Sequence, residues 1–245
     1  MIETYYAGAY WGARKESAEE CARRAQTFFD IMARHGPHLA HWFKPPHSRK
    51  QASVPLPLDA PTLRELFSQG STRNDEGSPI EDLGFRIFAD SGQWPDTPPR
   101  ELASLTVKCG GHADSMGPNA SVLNLPSAGD PLEQLVSAPM LANILRAMVL
   151  AWEPERGLAT SHAHRELVSE RAKVGTFVGW VMYFPHHLGP VPPLPPPVHV
   201  EPLVDKGSLV ILTPERFTAS NPEHVALAAR VHETLSQAGL MNPLS

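Results

Sequence analysis

The chain has few cysteines, no excess of positive charge and no long apolar run, and each lack excludes something. Two cysteines in 245 residues, Cys21 and Cys109, are too few for a disulfide scaffold. One falls in a predicted helix and one at a strand end, so both read as small buried hydrophobes. Lys and Arg total 21 against 26 Asp and Glu, a formal charge of −5. That balance lacks the basic footprint of a nucleic-acid-binding protein. The longest apolar stretch, Val174 to Phe184, is about half of the ~20 residues a membrane helix requires. The opening MIETYYAGAYWG has neither a basic leader nor an apolar core. The expectation is a cytoplasmic protein with no nucleic-acid and no membrane partner. Phosphate-loop, dinucleotide, nucleophile-elbow, zincin, C-x-x-C and calcium-loop signatures are also missing, so no cofactor is expected.

What is present is ordinary globular material with two excesses. Hydrophobic residues make up 42% and charged residues 19%, and a chain this long buries about 70% of its unfolded surface without a metal or disulfide. Proline, at 26 residues, is about twice its usual share, and there are 12 histidines. Alternation over Tyr5–Trp11 predicts a strand. Ser17 with Glu20 predicts a capping box opening a helix through Met32, ended by Gly36-Pro37. A short strand is expected at His38–Phe43, a helix capped by Asp59 and ended by Gly70, and strands at Phe85–Asp90, Leu102–Cys109 and Ser121–Leu125. A helix follows from Ser137 to Pro154. Residues 162–172 are weakly helical, and Gly175–Tyr183 reads as a central strand. A hairpin pairs His199–Leu203 with Ser208–Leu212, and Asn221 caps a last helix ended by Gly239. Adjacent strands with short links predict one α+β domain over residues 1–245, a mainly antiparallel sheet with helices on one side.

Three features could carry chemistry. The first is histidine. His162 and His164 would share a face if they lay on a strand, and with His186, His187 and His199, or Asp114 near His112, they could form the metal site of an enzyme. The alternative is that these, like His38, His41 and His47, are solvated or hydrogen-bonded loop histidines. The second is charge. Residues 71–100 hold Asp75, Glu76, Glu81, Asp82, Asp90 and Asp96 against Arg73, Arg86 and Arg100. This is either a solvated loop or an electrostatic docking face for a basic partner, with Trp94 as an anchor beside it or as a lid on the core. The third is the stretch 185–197, with seven prolines in thirteen residues. It is incompatible with a helix or an interior strand. It either offers PxxP segments to an adaptor or chaperone partner, or forms a stiff loop packed on its own body.

Tyr5-Tyr6-Ala7-Gly8-Ala9-Tyr10-Trp11-Gly12-Ala13-Arg14, then Glu16-Ser17 and Cys21-Ala22-x-Arg24, resembles the opening of the immunity protein 52 family. Leu212-Thr213-Pro214-Glu215-x-Phe217 and Asn221-Pro222-Glu223-His224-Val225 resemble its close. The resemblance implies a protein that is not an enzyme and that neutralises a cognate toxin, typically a nuclease of the restriction-endonuclease fold delivered by a type VI secretion system. An acidic and aromatic face, Asp75, Glu76, Glu81, Asp82, Trp94 and Asp96, would then occlude the toxin's cleft or block its assembly. Of the opening motif, Tyr10 and Trp11 are expected in the core, and Arg14 paired with Glu16 or Glu20.

Overall fold

The computed structural model describes residues 3–46, 48, 50–113, 117–168 and 173–244. Among them, ten strands form a single open antiparallel sheet. Strand β1 (Tyr5–Trp11) comes first in the chain but lies inside the sheet, between β6 (Asn119–Asn124) and β7 (Arg156–Ser161). Beyond β6 follow β5 (Ser104–Cys109), β4 (Phe85–Asp90), β2 (Phe43–Lys44) and β3 (Val54–Pro55). Beyond β7 follow β8 (Val181–Pro185), β10 (Gly207–Ile211) and β9 (His199–Leu203). The fold is α+β.

Helices α1 (Ala18–Met32), α2 (Ala60–Gln69) and α4 (Ala138–Trp152) cover the sheet face that carries Ala7, Ala9 and Trp11. The capping box of α1 is complete: Ser17 Oγ accepts the Glu20 N–H at 3.2 Å, and the Glu20 carboxylate accepts the Ser17 N–H at 2.8 Å. Asp59 caps α2 through the Thr62 N–H at 3.0 Å. Helix α4 buries ten of its fifteen residues and leaves a narrow accessible stripe at Pro139, Asn143, Arg146 and Leu150. Trp152 stacks on Trp11, with centroids 5.4 Å apart. Shorter helices are α3 (Gly129–Leu135) and α5 (His162–Val168), and α6 (Pro222–Gln237) closes the chain.

Four elements differ from the sequence reading. Residues 156–161, with no apolar alternation and with Gly157 resembling a helix stop, form β7 near the middle of the sheet. The strand expected at Gly175–Tyr183 begins only at Val181, and it lies third from the sheet's end rather than at its centre. Its early residues 174–177 instead lie over the sheet's second face, where Gly175 meets the Asn242 backbone. His38–Phe43 gives one turn of 3₁₀ helix at Pro37–Leu39 and only two strand residues, Phe43–Lys44. Residues 129–135, unassigned in the sequence, form α3. In the proline-rich stretch, residues 190–195 form neither helix nor strand, and Val191, Leu194 and Val198 rest on the core. It is a loop packed on its own body.

The opening motif is a clamp on the end of α4. Arg14 donates to the Trp152 carbonyl at 2.9 Å and lies 5.0 Å over the Trp11 ring. Arg24 donates to the Ala151 carbonyl at 2.9 Å. These carbonyls belong to the last turn of α4, which has no intrahelical donors and carries negative dipole charge. Buried Glu16 holds both guanidiniums, at 3.1 Å from Arg14 and 2.6 Å from Arg24. Arg14 thus pairs with Glu16, while Glu20 is committed to Ser17. Trp11 is in the core and Tyr10 only half-buried. The closing motif meets the opening strand: Tyr5 donates its hydroxyl to the Phe217 carbonyl at 2.8 Å, and Glu3 accepts the Ala219 N–H at 2.8 Å.

Candidate partner-binding surface

The acidic segment is an ordered excursion between α2 and β4. The Ile80 N–H donates to Thr72 O at 2.8 Å and the Asn74 N–H to Ser78 O at 2.9 Å. At the tip, Asn74 Oδ1 accepts the N–H groups of Glu76 and Ser78, and Gly77 takes a φ of 82°. This turn leaves Asp75 and Glu76 exposed at its end. At its foot, Glu81 and Asp82 are also exposed, while the Asp82 carbonyl accepts the N–H groups of His112 and Ala113 at 2.8 and 3.1 Å. The next residue but one, Gly84, has a φ of 67°, and a Cβ there would lie 2.3 Å from the Cys109 carbonyl oxygen. Only glycine lets the chain turn so closely into β4. Among the described residues, none of these four carboxylates has an ion-pair partner.

Between this excursion and the start of α1 lies a cleft of about 530 Å³. Its wall includes Ala18, Pro79, Ile80 and Phe85, with the carboxylates of Glu16, Glu20 and Glu81 and the ammonium of Lys15 among its charged groups.

Trp94 and Asp96 stand apart from the other four. They follow β4, whereas Glu81 and Asp82 precede it, and six strand residues separate the two groups by about 20 Å. Trp94 is half-buried and tied to Ser53: its N–H donates to Ser53 Oγ at 2.7 Å, and its carbonyl accepts the Ser53 N–H at 3.0 Å. Asp96 is exposed. The structure therefore brings Asp75, Glu76, Glu81 and Asp82 to one end of β4 and places Trp94 and Asp96 at the other.

The histidines do not converge. His162 and His164 lie on α5, not on a strand, so about 200° of helical rotation separates them. The His162 ring lies tilted against Tyr6, with centroids 4.7 Å apart. His164 is fully buried, with Nε2 at 3.1 Å from the Val178 carbonyl and its ring against Phe217. Burial pushes the pKa of both downward. His186 and His187 are exposed on a turn after β8. Among the described residues, no three His, Cys, Asp or Glu side chains group so as to hold a metal ion. His47 and Asp114 lie outside the described residues. Cys109 contacts Cys21 in the core, where burial pushes its thiol pKa up; both cysteines are free. No single helix among the described residues is long and apolar enough to cross a membrane.

The described residues thus form an open antiparallel sheet carrying helices and an exposed charged rim. The fold is shared with a solved structure, the Pseudomonas aeruginosa T6SS protein PA0821, at a TM-score of 0.54 and 13% identity, covering 96% of this chain and 76% of that one. No curated protein sequence matches. The chain belongs to the immunity protein 52 family, which it matches over residues 3–244.

Proposed function

We propose that the chain binds and neutralises a cognate toxin in the cytoplasm of the cell that makes both, and that it does so as a stoichiometric inhibitor rather than as an enzyme. The toxin is a nuclease of the restriction-endonuclease fold delivered by type VI secretion. Family membership supports the immunity role, and the structural likeness to a T6SS protein agrees with the delivery route. One observation carries the choice of surface: four exposed carboxylates, Asp75 and Glu76 at the tip of the excursion and Glu81 and Asp82 at its foot, have no ion-pair partner among the described residues, and Glu81 lines the adjoining cleft. A nuclease must attract phosphates, so its cleft is basic, and an acidic face raises the rate of encounter with it. Trp94 and Asp96 would touch the same toxin only if its footprint spans β4.

The test is growth of cells expressing the toxin encoded beside this chain's gene, with and without the chain, followed by co-purification. Rescue with a stable complex is expected. Reversing Asp75, Glu76, Glu81 and Asp82 to Lys should slow association at least tenfold and weaken protection. Rescue with unchanged binding by that variant would move the interface elsewhere.

A further inference from the structure

The sheet has a second face that the helices do not cover along β4, β5 and β6. The register places Arg86 of β4 directly opposite Lys108 of β5, and Phe88 opposite Thr106. Thr106 is in turn opposite Val122 of β6. All five point away from the helices, since Ile87, Val107 and Leu123 between them are buried under those helices. Phe88 is 51% exposed.

Two cations directly opposite each other on neighbouring strands repel, and in a free protein that pairing is destabilising. Among the described residues neither Arg86 nor Lys108 pairs with a carboxylate. Among the described residues, Lys108 donates only to the Gly117 carbonyl, at 3.1 Å. Its pKa is lowered, by burial first and by Arg86 second. A hollow of about 380 Å³ lies against both residues and Phe88, and reaches Ser71 and Thr72 at the root of the acidic excursion. The two surfaces are therefore contiguous and of opposite charge.

We infer that the cognate toxin docks on this open sheet face as well, presenting one or more carboxylates to Arg86 and Lys108 and an apolar residue to Phe88. This rests on the immunity reading above and extends it: the interface is dipolar, with the carboxylates of residues 75–82 on one side of Phe85 and the cation pair on the other. A protein surface with both signs of charge satisfies it. A nucleic acid would be attracted by the cations and repelled by the adjoining carboxylates. Opposed charges on one face also fix the orientation of the partner and exclude toxins with another pattern.

Calorimetric titration of the full chain with the co-encoded toxin, inactivated at its catalytic residue, tests this. The variant Arg86→Glu with Lys108→Glu should raise Kd at least tenfold, and Arg86→Gln alone should raise it severalfold. Arg86→Gln should at the same time keep or raise Tm, because it removes repulsion without opening the core. Unchanged Kd in both variants, with the acidic-loop variant impaired, would overturn the sheet-face inference and leave the immunity reading standing. Absence of any wild-type complex would overturn both. Light scattering of the chain alone adds a further arm: a wild-type dimer that Arg86→Glu with Lys108→Glu converts to monomer would assign the face to a second copy instead.

Discussion

The two halves of the sheet flank β1 and are built differently. In β4, β5 and β6 buried and accessible residues alternate, whereas β7 and β8 are buried at every position. The reason is cover on the second face. Over β7 and β8, residues 173–178 and the chain after α6 close that face: Leu158, Met182 and Phe184 meet Phe177 and Met241, and the Leu244 N–H donates to Val174 O at 3.2 Å. Over β4 to β6 the helices leave that face open. A strand covered on both sides is scaffold, and one covered on a single side has a face free for a partner. The charged groups argued above to meet the toxin all belong to the singly covered half.

The largest effect that sharpens this contrast comes from placing one charge in each half. Leu158→Asp on β7 puts a carboxylate where the side chain is 5% exposed. Without a partner there it should cost several kcal/mol, on the order of the whole stability of a domain. Thr106→Asp on β5, on the open face beside Lys108, should change stability by no more than about 0.5 kcal/mol. Urea denaturation of both variants decides it; equal losses would mean the two faces are equally covered.

Next is the clamp at the centre, which both halves share. Glu16→Ala leaves Arg14 against the end of α4 without its carboxylate, and Arg24 with Glu153 alone, at 3.3 Å. The guanidiniums keep some contact with water and the Trp152 and Ala151 carbonyls. The loss should therefore be about 2 kcal/mol, below the full cost of an orphaned buried charge. Denaturant midpoints measure it, and Glu16→Gln should lose less.

The same contrast explains what could be read from the sequence. Where one face is open, side chains alternate, and Ile87 with Ala89 against Arg86 with Phe88 reads directly as β4. Caps were equally legible, because Ser17 with Glu20 and Asp59 with Thr62 are local chemistry. Strand β7 was not. RGLATS has no alternation because both faces are buried, and its strand state comes from the ladders that β1 and β8 offer it. Phe177 is apolar because it covers the sheet, which a composition reading cannot separate from joining it. At the candidate site the acidic charge was visible as a run. That β4 separates Trp94 from it, and that Arg86 faces Lys108, are consequences of register between distant segments, which no local signal carries.

A smaller effect is a pH dependence located in the doubly covered half. His164 is buried at the β7–α5 junction, where burial lowers its pKa, partly offset by the bond to the Val178 carbonyl and by Glu3. The unfolded chain therefore takes up a proton before the folded one. Stability is full above about pH 6.5 and is lost as pH falls through the lowered folded value, by at most about 1.4 kcal/mol per pH unit for one group. His162 shifts in the same direction. Unfolding at pH 7.5 and 5.5 should show the loss, and His164→Phe should flatten it; an equal slope in that variant would assign the dependence to other groups.

The smallest expected change in stability is at the centre of the open face. Phe88→Thr replaces one residue of high strand propensity, an aromatic, by another, a β-branched one, and removes a ring that is already half in water. Thermal unfolding should move by no more than the equivalent of about 0.5 kcal/mol. An aromatic anchor at the middle of an interface behaves differently from one on a bare surface, since its truncation there costs on the order of 2 kcal/mol, or about thirtyfold in Kd. The ratio of the two effects is the measurement: a large loss of toxin affinity at unchanged stability marks the open face as an interface. A loss of stability instead would mean that Phe88 is held by the fold, and the two halves of the sheet would then differ less than their burial indicates.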